Sequence, residues 1–219
     1  MTEVLTKLPY WDRLTEDEQQ RVRKQSCVRH YDPGDQLYGP CVDCVGMIYM
    51  LHGETRAYIL SEEGREVTLF RVHKSDCCIL SASCVLTHIS FVSFMTVTEP
   101  SDILIVPVAL FGELCEKNIY VRCFAYELAA RRFSSVVFAM QQMLFTRLDQ
   151  RIAFFLITEY RKTGNPEIRM TQEQLALQVN SVRETVGRML KRFAEENMIE
   201  IRRGSILLTD IRGLEATAK

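Results

Sequence analysis

The chain has 219 residues, 47% of them hydrophobic and 25% charged, with a net charge of −1; this composition supports one large or two small folded domains and excludes a disordered chain. No run of about 18 uncharged apolar residues occurs, and the opening "MTEVLTKLPYWDRL" has no basic flank before an apolar stretch, so neither a membrane span nor a signal peptide is expected and the chain reads as cytoplasmic. Charge is unevenly spread: residues 1–113 hold ten Lys/Arg against sixteen Asp/Glu, residues 114–219 seventeen against twelve, an acidic front and a basic rear that suggest two modules, the second with a polyanionic partner.

Thr15 and Glu18 form a capping-box pattern that starts a short helix running to about Cys27. The segments that follow alternate or run apolar between turn signals: "VRHYDPGDQLY", "GMIYMLHG", "ETRAYILSEEGREVTLFRV", "SFVSFMTVTE" and "SDILIVP". Gly34, Gly53 and Gly64 punctuate them. Short strands at such spacing predict an antiparallel sandwich or roll over roughly residues 28–108.

From Glu113 to Thr163 there is no Gly and no Pro, which is long for a globular helix and predicts an interface element. Phe133, Val137, Met140, Leu144 and Leu148 repeat at near-heptad spacing, a seam for a parallel dimer. A long core helix is the alternative. "TRLD" at 146–149 reads as a helix restart and a hinge.

After Gly164-Asn165-Pro166 come two further capping patterns, Thr171 with Gln174 and Ser181 with Glu184, around a short turn at Val179-Asn180. That is the helix-turn-helix layout. In the second helix Val182, Val186, Met189, Leu190 and Phe193 fall on one face and read as core, leaving Arg183, Glu184, Arg188, Lys191 and Arg192 to solvent. Arg can bridge guanine O6 and N7, and Glu can accept from the cytosine amino group. Arg183, Glu184 and Arg188 are therefore the candidate base contacts. Thr171, Gln172, Ser181, Lys191, Arg192, Arg202 and Arg203 are the candidate phosphate contacts, the last two at the tip of a predicted hairpin between "MIEI" and "SILLT". Gly187 lies inside this helix, where glycine costs about 1 kcal/mol against alanine, and suggests a close approach. A solvated charged face is the bland alternative.

The stretch "NSVRETVGRMLKRF" resembles the recognition helix of the Crp/Fnr family of bacterial transcription regulators, and the resemblance extends over nearly the whole chain. It implies an α+β fold: an N-terminal antiparallel β-roll, cyclic-nucleotide-binding-like, at 1–113, a long dimerisation helix at 114–146 and a C-terminal winged helix-turn-helix at 147–219. It also implies a homodimer on a palindrome in double-stranded DNA, contact with RNA polymerase, and no enzymatic activity. Arg183, Glu184 and Arg188 match the catabolite-activator branch, for which a TGTGA-like half-site is expected. The Fnr branch has a serine where this chain has Gly187.

Two family effectors fit poorly. The cyclic AMP site uses a Gly-Glu pair and an arginine; "DCCIL" stands where that pair is expected, with Ile79 and Leu80 in its place, and no Arg occurs between Val72 and Val121. Cyclic AMP is not expected. The Fnr-type iron–sulfur cluster needs clustered cysteines before the roll, and residues 1–26 have none. Cys41 and Cys44 have metal-ligand spacing, and Cys77, Cys78 and Cys84 follow in the roll. If brought together they would hold zinc or an iron–sulfur cluster; otherwise they are packed thiols or a redox switch. Adjacent Cys77 and Cys78 would point to opposite faces of a strand. No H-x-H pair supports a metal-dependent roll enzyme, and a winged helix that binds protein rather than DNA is the rival from another class.

Overall fold

The computed structural model describes residues 2–39, 45–79 and 93–218. They divide into two compact units, residues 1–65 with 69–137 and residues 66–68 with 138–219. Among the described residues no helix is long and apolar enough to cross a membrane.

The first unit opens with α1 (Thr2–Leu5), a single 3-10 turn at Trp11–Arg13 and α2 (Glu16–Gln25). Thr15 caps α2 as the sequence predicts: its hydroxyl accepts from Glu18 N at 3.3 Å, and Glu18 Oε2 accepts from Thr15 N at 2.8 Å. Strands β1 (Cys27–Tyr31), β2 (Gln36–Tyr38), β3 (Met47–Leu60), β4 (Glu66–His73), β5 (Cys77–Cys78) and β6 (Phe94–Val106) follow. They form one sheet in the order β1-β6-β3-β4, with β2 also on β6 and β5 on β3.

The backbone of this sheet is the antiparallel pair β3–β6, matched from Met47↔Val106 to Tyr58↔Phe94. The predicted breaks between "GMIYMLHG" and "ETRAYIL" and between "FMTVTE" and "SDILIV" are thus absent, and each pair is one long strand. Gly53 is not the turn the sequence suggests: β3 runs through it, and the register shifts around His52 and Glu54 mark a bulge. Gly53 has φ +88°, and a Cβ there would lie 2.2 Å from Ser101 Oγ, so both conformation and space demand glycine. Gly34 and Gly64 do turn the chain, with φ +100° and +79°.

Side-chain alternation gives the sheet two apolar faces. One face, with Leu37, Ile48, Met50, Val72, Cys78, Met95 and Ile103, packs among the described residues against other strand residues and Val45, so the sheet closes on itself as a roll. The other, with Met47, Tyr49, Cys77, Leu104 and Val106, is covered by Leu5, Tyr10, Trp11, Val22, Phe111, Val121, Phe124 and Leu128 from the helices.

The breaker-free stretch is three helices: α3 (Val108–Lys117), α4 (Ile119–Phe145) and α5 (Leu148–Thr163). The expected single helix from 114 is interrupted at Asn118. Its Oδ1 accepts from Tyr120 N at 3.0 Å, and its Nδ2 donates to Arg13 O at 3.0 Å and Glu18 Oε2 at 2.9 Å. A side chain that satisfies the exposed N–H groups of a new helix stops the old one without Gly or Pro. Arg132 of α4 reaches the sheet, donating to Cys77 O at 2.6 Å and lying over the Phe70 ring at 4.8 Å.

In the second unit, α5 ends at Gly164, φ +67°. It packs with β7 (Glu167–Arg169), α6 (Gln172–Gln178), α7 (Arg183–Glu195), β8 (Ile199–Arg202), β9 (Ser205–Leu208) and α8 (Ile211–Thr217) around one core. The strands form the sheet β7-β9-β8.

One charge cluster stabilises the roll. Glu54 on β3 pairs with Arg71 on β4, accepts from Thr98 Oγ1 at 2.8 Å and lies 3.1 Å from His73 Nδ1. Burial alone would raise its carboxyl pKa; His73, Arg71 and Thr98 outweigh burial and bring it from 4.5 down to about 2. A carboxyl whose folded pKa is depressed contributes stability that is fully present above its unfolded pKa and lost as pH falls through the folded one. Glu54→Gln is expected to destabilise the roll by about 2–3 kcal/mol at pH 7. In urea denaturation the gap between variant and parent should close as pH falls from 4.5 towards 2; a gap independent of pH would refute the assignment.

Candidate nucleic-acid interface and effector site

The recognition-helix candidate is α7. Val186, Leu190 and Phe193 are fully buried in the winged-helix core, which fixes the opposite face outward. Arg183, Glu184, Arg188, Lys191 and Arg192 are exposed, and so are Arg202 and Arg203 in the β8–β9 hairpin. The turn of that hairpin passes through Gly204 at φ +78°. Glu184 and Arg188 are one turn apart on the exposed stripe. Arg188 Nη2 contacts Thr185 Oγ1 at 3.3 Å rather than Glu184.

Several expected details differ. Ser181 does not cap α7. Its N–H donates to Ala176 O at 2.9 Å, Asn180 sits in the left-handed region at φ +49°, and the N-cap is Val182, which has no side-chain cap bond. Val182 is correspondingly 50% exposed, not core. Gly187 does admit a close neighbour, but the neighbour is Gln172: a Cβ there would lie 2.9 Å from Gln172 Oε1. Thr171 spends its hydroxyl on the α6 cap, accepting from Gln174 N at 3.1 Å. Arg202 is held by Glu200 at 3.0 Å and Glu167 at 3.7 Å, and Arg192 by Glu196 at 2.8 Å and Asp149 at 3.7 Å. Lys191 and Arg203 form no ion pair among the described residues. Sequence reasoning missed the role of Asp149, a nearly buried carboxylate at the start of α5; its only signal is its place as the acidic last residue of the "TRLD" restart pattern.

The seam on α4 also needs correction. Phe133 and Leu144 are 70% and 69% exposed, with Phe138, Met140 and Phe145 exposed beside them. Leu148 is not part of that stripe: it belongs to α5 and packs on the winged-helix core. Val121, Phe124 and Leu128, which continue the pattern upstream, are buried against the roll.

Of the candidate effector cysteines, Cys41, Cys44 and Cys84 lie outside the described residues, as do Leu80 and His88. Cys77 and Cys78 pair with Tyr49 and Ile48 on β3 and enter different apolar clusters on opposite faces of the sheet. The two do not fit as ligands of one ion. Burial, with Cys78 and Asp76 nearby, pushes the Cys77 thiol up to about 12 despite Arg132, and burial pushes Cys115 up to about 11. Neither is a thiolate at neutral pH. Among the described residues no group of three or more His, Cys, Asp or Glu side chains is placed to hold a metal ion.

The description Crp-like helix-turn-helix domain matches residues 150–217. A Crp/Fnr-family transcriptional regulator from Eubacterium rectale is similar at 32% identity and TM-score 0.91, over 97% of this chain and 99% of that one. The chain belongs to the Crp/Fnr family of transcriptional regulators, which are not enzymes, and its second unit carries a helix-turn-helix DNA-binding domain. Its fold is shared with more distant structures. The c-di-GMP-responsive regulator CLP of Xanthomonas campestris is 15% identical with TM-score 0.69, over 89% of this chain and 99% of that one. CooA of Carboxydothermus hydrogenoformans is 20% identical with TM-score 0.66, over 91% and 90%. No curated protein sequence matches the chain.

Two outcomes follow from this geometry. Val182→Ser supplies the missing N-cap oxygen and should stabilise the winged-helix unit by about 0.5–1 kcal/mol in chemical denaturation; an unchanged midpoint would mean the α7 N-terminus is satisfied otherwise. In native protein at neutral pH, iodoacetamide should label exposed Cys123 well before Cys77 or Cys115, as read by peptide mass spectrometry; early labelling of Cys77 would contradict its burial.

Proposed function

We propose that the protein is a homodimeric, sequence-specific DNA-binding regulator that reads a palindrome with TGTGA-like half-sites through Arg183, Glu184 and Arg188. The observation that carries this reading is the disposition of α7: a buried Val186-Leu190-Phe193 stripe on one side, and those three polar side chains exposed on the other. Arg183 and Arg188 have the donors for guanine, and Glu184 the acceptor for the cytosine amino group. Lys191, Arg203 and, at the hairpin, Arg202 supply positive charge for phosphates; Thr171, Gln172, Ser181 and Arg192 complete the proposed backbone set. The exposed Phe133-Met140-Leu144 stripe of α4 supports dimerisation along that helix, since burying such residues against a second copy removes apolar area from water. RNA polymerase is the further partner expected of a regulator of this family. We divide the chain functionally into a sensor roll at 1–113, a dimerisation segment at 114–146 and a DNA-binding unit at 147–219.

The effector sensed in the roll is not cyclic AMP. Ile79 occupies the first position of the expected Gly-Glu pair and is buried in the cluster beneath the helices, and neither it nor Leu80 offers a polar group for the ribose. A metal or iron–sulfur effector would rest on Cys41, Cys44 and Cys84 without the pair Cys77–Cys78 acting together. Anaerobic purification followed by metal analysis and an absorbance spectrum separates these readings: colourless, metal-free protein that retains DNA binding removes the cluster.

In gel-shift titrations, the TGTGA palindrome is expected to be preferred over a TTGAT palindrome, and Arg188→Ala should lose about 1–3 kcal/mol of that preference. Preference for TTGAT would overturn the base assignment. Binding that ignores salt would favour a protein-binding winged helix, because phosphate contacts weaken steeply as salt rises.

A further inference from the structure

We propose that Asp149 is a positioning residue of the DNA interface, gathering the guanidinium groups of Arg147 and Arg192 into a clamp for one backbone phosphate, and that Arg147 is a phosphate contact in its own right. The inference rests on the DNA-binding reading above and deepens it.

The Asp149 side chain is 7% exposed, whereas Arg147 is 74% and Arg192 51% exposed. Asp149 Oδ2 accepts from Arg147 Nη2 at 2.7 Å and lies 3.7 Å from Arg192 Nη1. A carboxylate this deeply buried must be paired, but one arginine suffices for that. Here two converge on the same oxygen, Arg192 being held by Glu196 at 2.8 Å as well; each guanidinium has five N–H groups, so donors remain for a phosphate.

The place of this cluster is telling. Arg192 lies one turn beyond Arg188, and Arg188 one turn beyond Glu184, so all three share the exposed stripe of α7. Asp149 stands in the first turn of the 16-residue helix α5, with Arg147 as the residue before that helix. Gln150 Oε1 accepts from Arg147 N at 3.1 Å and holds its backbone. Two helices thus present guanidinium groups at one edge of the proposed reading surface, and a backbone phosphate, singly charged with two free oxygens, is an anion that planar guanidinium forks fit.

The competing account is that the arginines merely neutralise Asp149. The two accounts predict opposite signs for Asp149→Asn. Removing a negative charge beside DNA and releasing two arginines should tighten binding if neutralisation is all there is. If Asp149 positions the clamp, binding weakens and its salt dependence becomes shallower. Fluorescence anisotropy with a labelled duplex, between about 50 and 200 mM salt, reads both quantities on the full-length protein, and phosphate contacts need no effector and no particular sequence. Arg147→Met, with its folding checked by the urea midpoint, should reduce the log–log salt slope by about 0.9 per protomer and weaken all duplexes alike. Tighter binding by Asp149→Asn, or an unchanged slope in Arg147→Met while the parent protein binds, overturns the clamp alone. A parent protein that binds no duplex at low salt overturns the DNA-binding reading and the clamp with it.

Discussion

The burial of three side chains, Val186, Leu190 and Phe193, decides what the second unit presents to its surroundings. They lie at four- and three-residue intervals on α7, one stripe of a helix with 3.6 residues per turn, and all three are sealed in the core with Leu175, Ile152 and Leu156. Rotation of α7 about its axis would expose that stripe, at about 1.5–3 kcal/mol for each side chain. Arg183, Glu184 and Arg188 therefore face outward because of residues that never touch DNA. Gly187 belongs to the same constraint. With no Cβ it lets the Gln172 side chain of α6 lie against α7, setting the spacing of the two helices rather than making room for a base.

A comparable logic runs through the roll. The long pair β3–β6 carries both apolar faces, and the bulge at Gly53 places Glu54 beside Arg71, His73 and Thr98. The adjacent cysteines of β5 inherit the alternation of the sheet. One enters the closed interior of the roll and the other the layer under the helices, so a sequence dense in thiols becomes two separate packing contacts. Cys77 contributes its carbonyl as well, as the acceptor for Arg132, and that bond ties α4 to the strand that leads into residues 80–92.

Local patterns were legible where a side chain acts on its own backbone. The capping boxes at Thr15 and Thr171 form as their spacing says, because each of the two side chains accepts from the other residue's backbone N–H and no distant partner is needed. Ser181 has the same spacing and fails, since Asn180 takes a left-handed conformation and draws the Ser181 N–H back to Ala176; the turn consumes two more residues before α7 begins. The break at Asn118 was hidden for the opposite reason. Its cap is completed by Arg13 and Glu18, a hundred residues away in sequence, and no local rule reports such partners. The exposed polar set of α7 was legible from periodicity; Arg192 and Arg202 are also occupied by local partners, Glu196 and Glu200, whereas their contacts with Asp149 and Glu167 come from other elements and no local rule reports them.

Helix α4 shows how one periodic pattern can serve two purposes. Its first half spends Val121, Phe124 and Leu128 on the first unit's own core, while its second half leaves Phe133, Met140 and Leu144 outside any core. At 27 residues the helix is about 40 Å long at 1.5 Å per residue, more than the roll needs to cover one face. Propensity alone does not sustain the bare half, because most helical stability in proteins comes from packing an apolar face. Exposed apolar side chains aligned in this way support the dimer contact proposed for this helix. Arg132 sits at the junction of the two halves, bonded back to Cys77 immediately before the exposed residues begin. A displacement at the end of β5 would thus reach α4 at the first residue before the bare stripe, which gives the roll a physical handle on the segment proposed to join two copies.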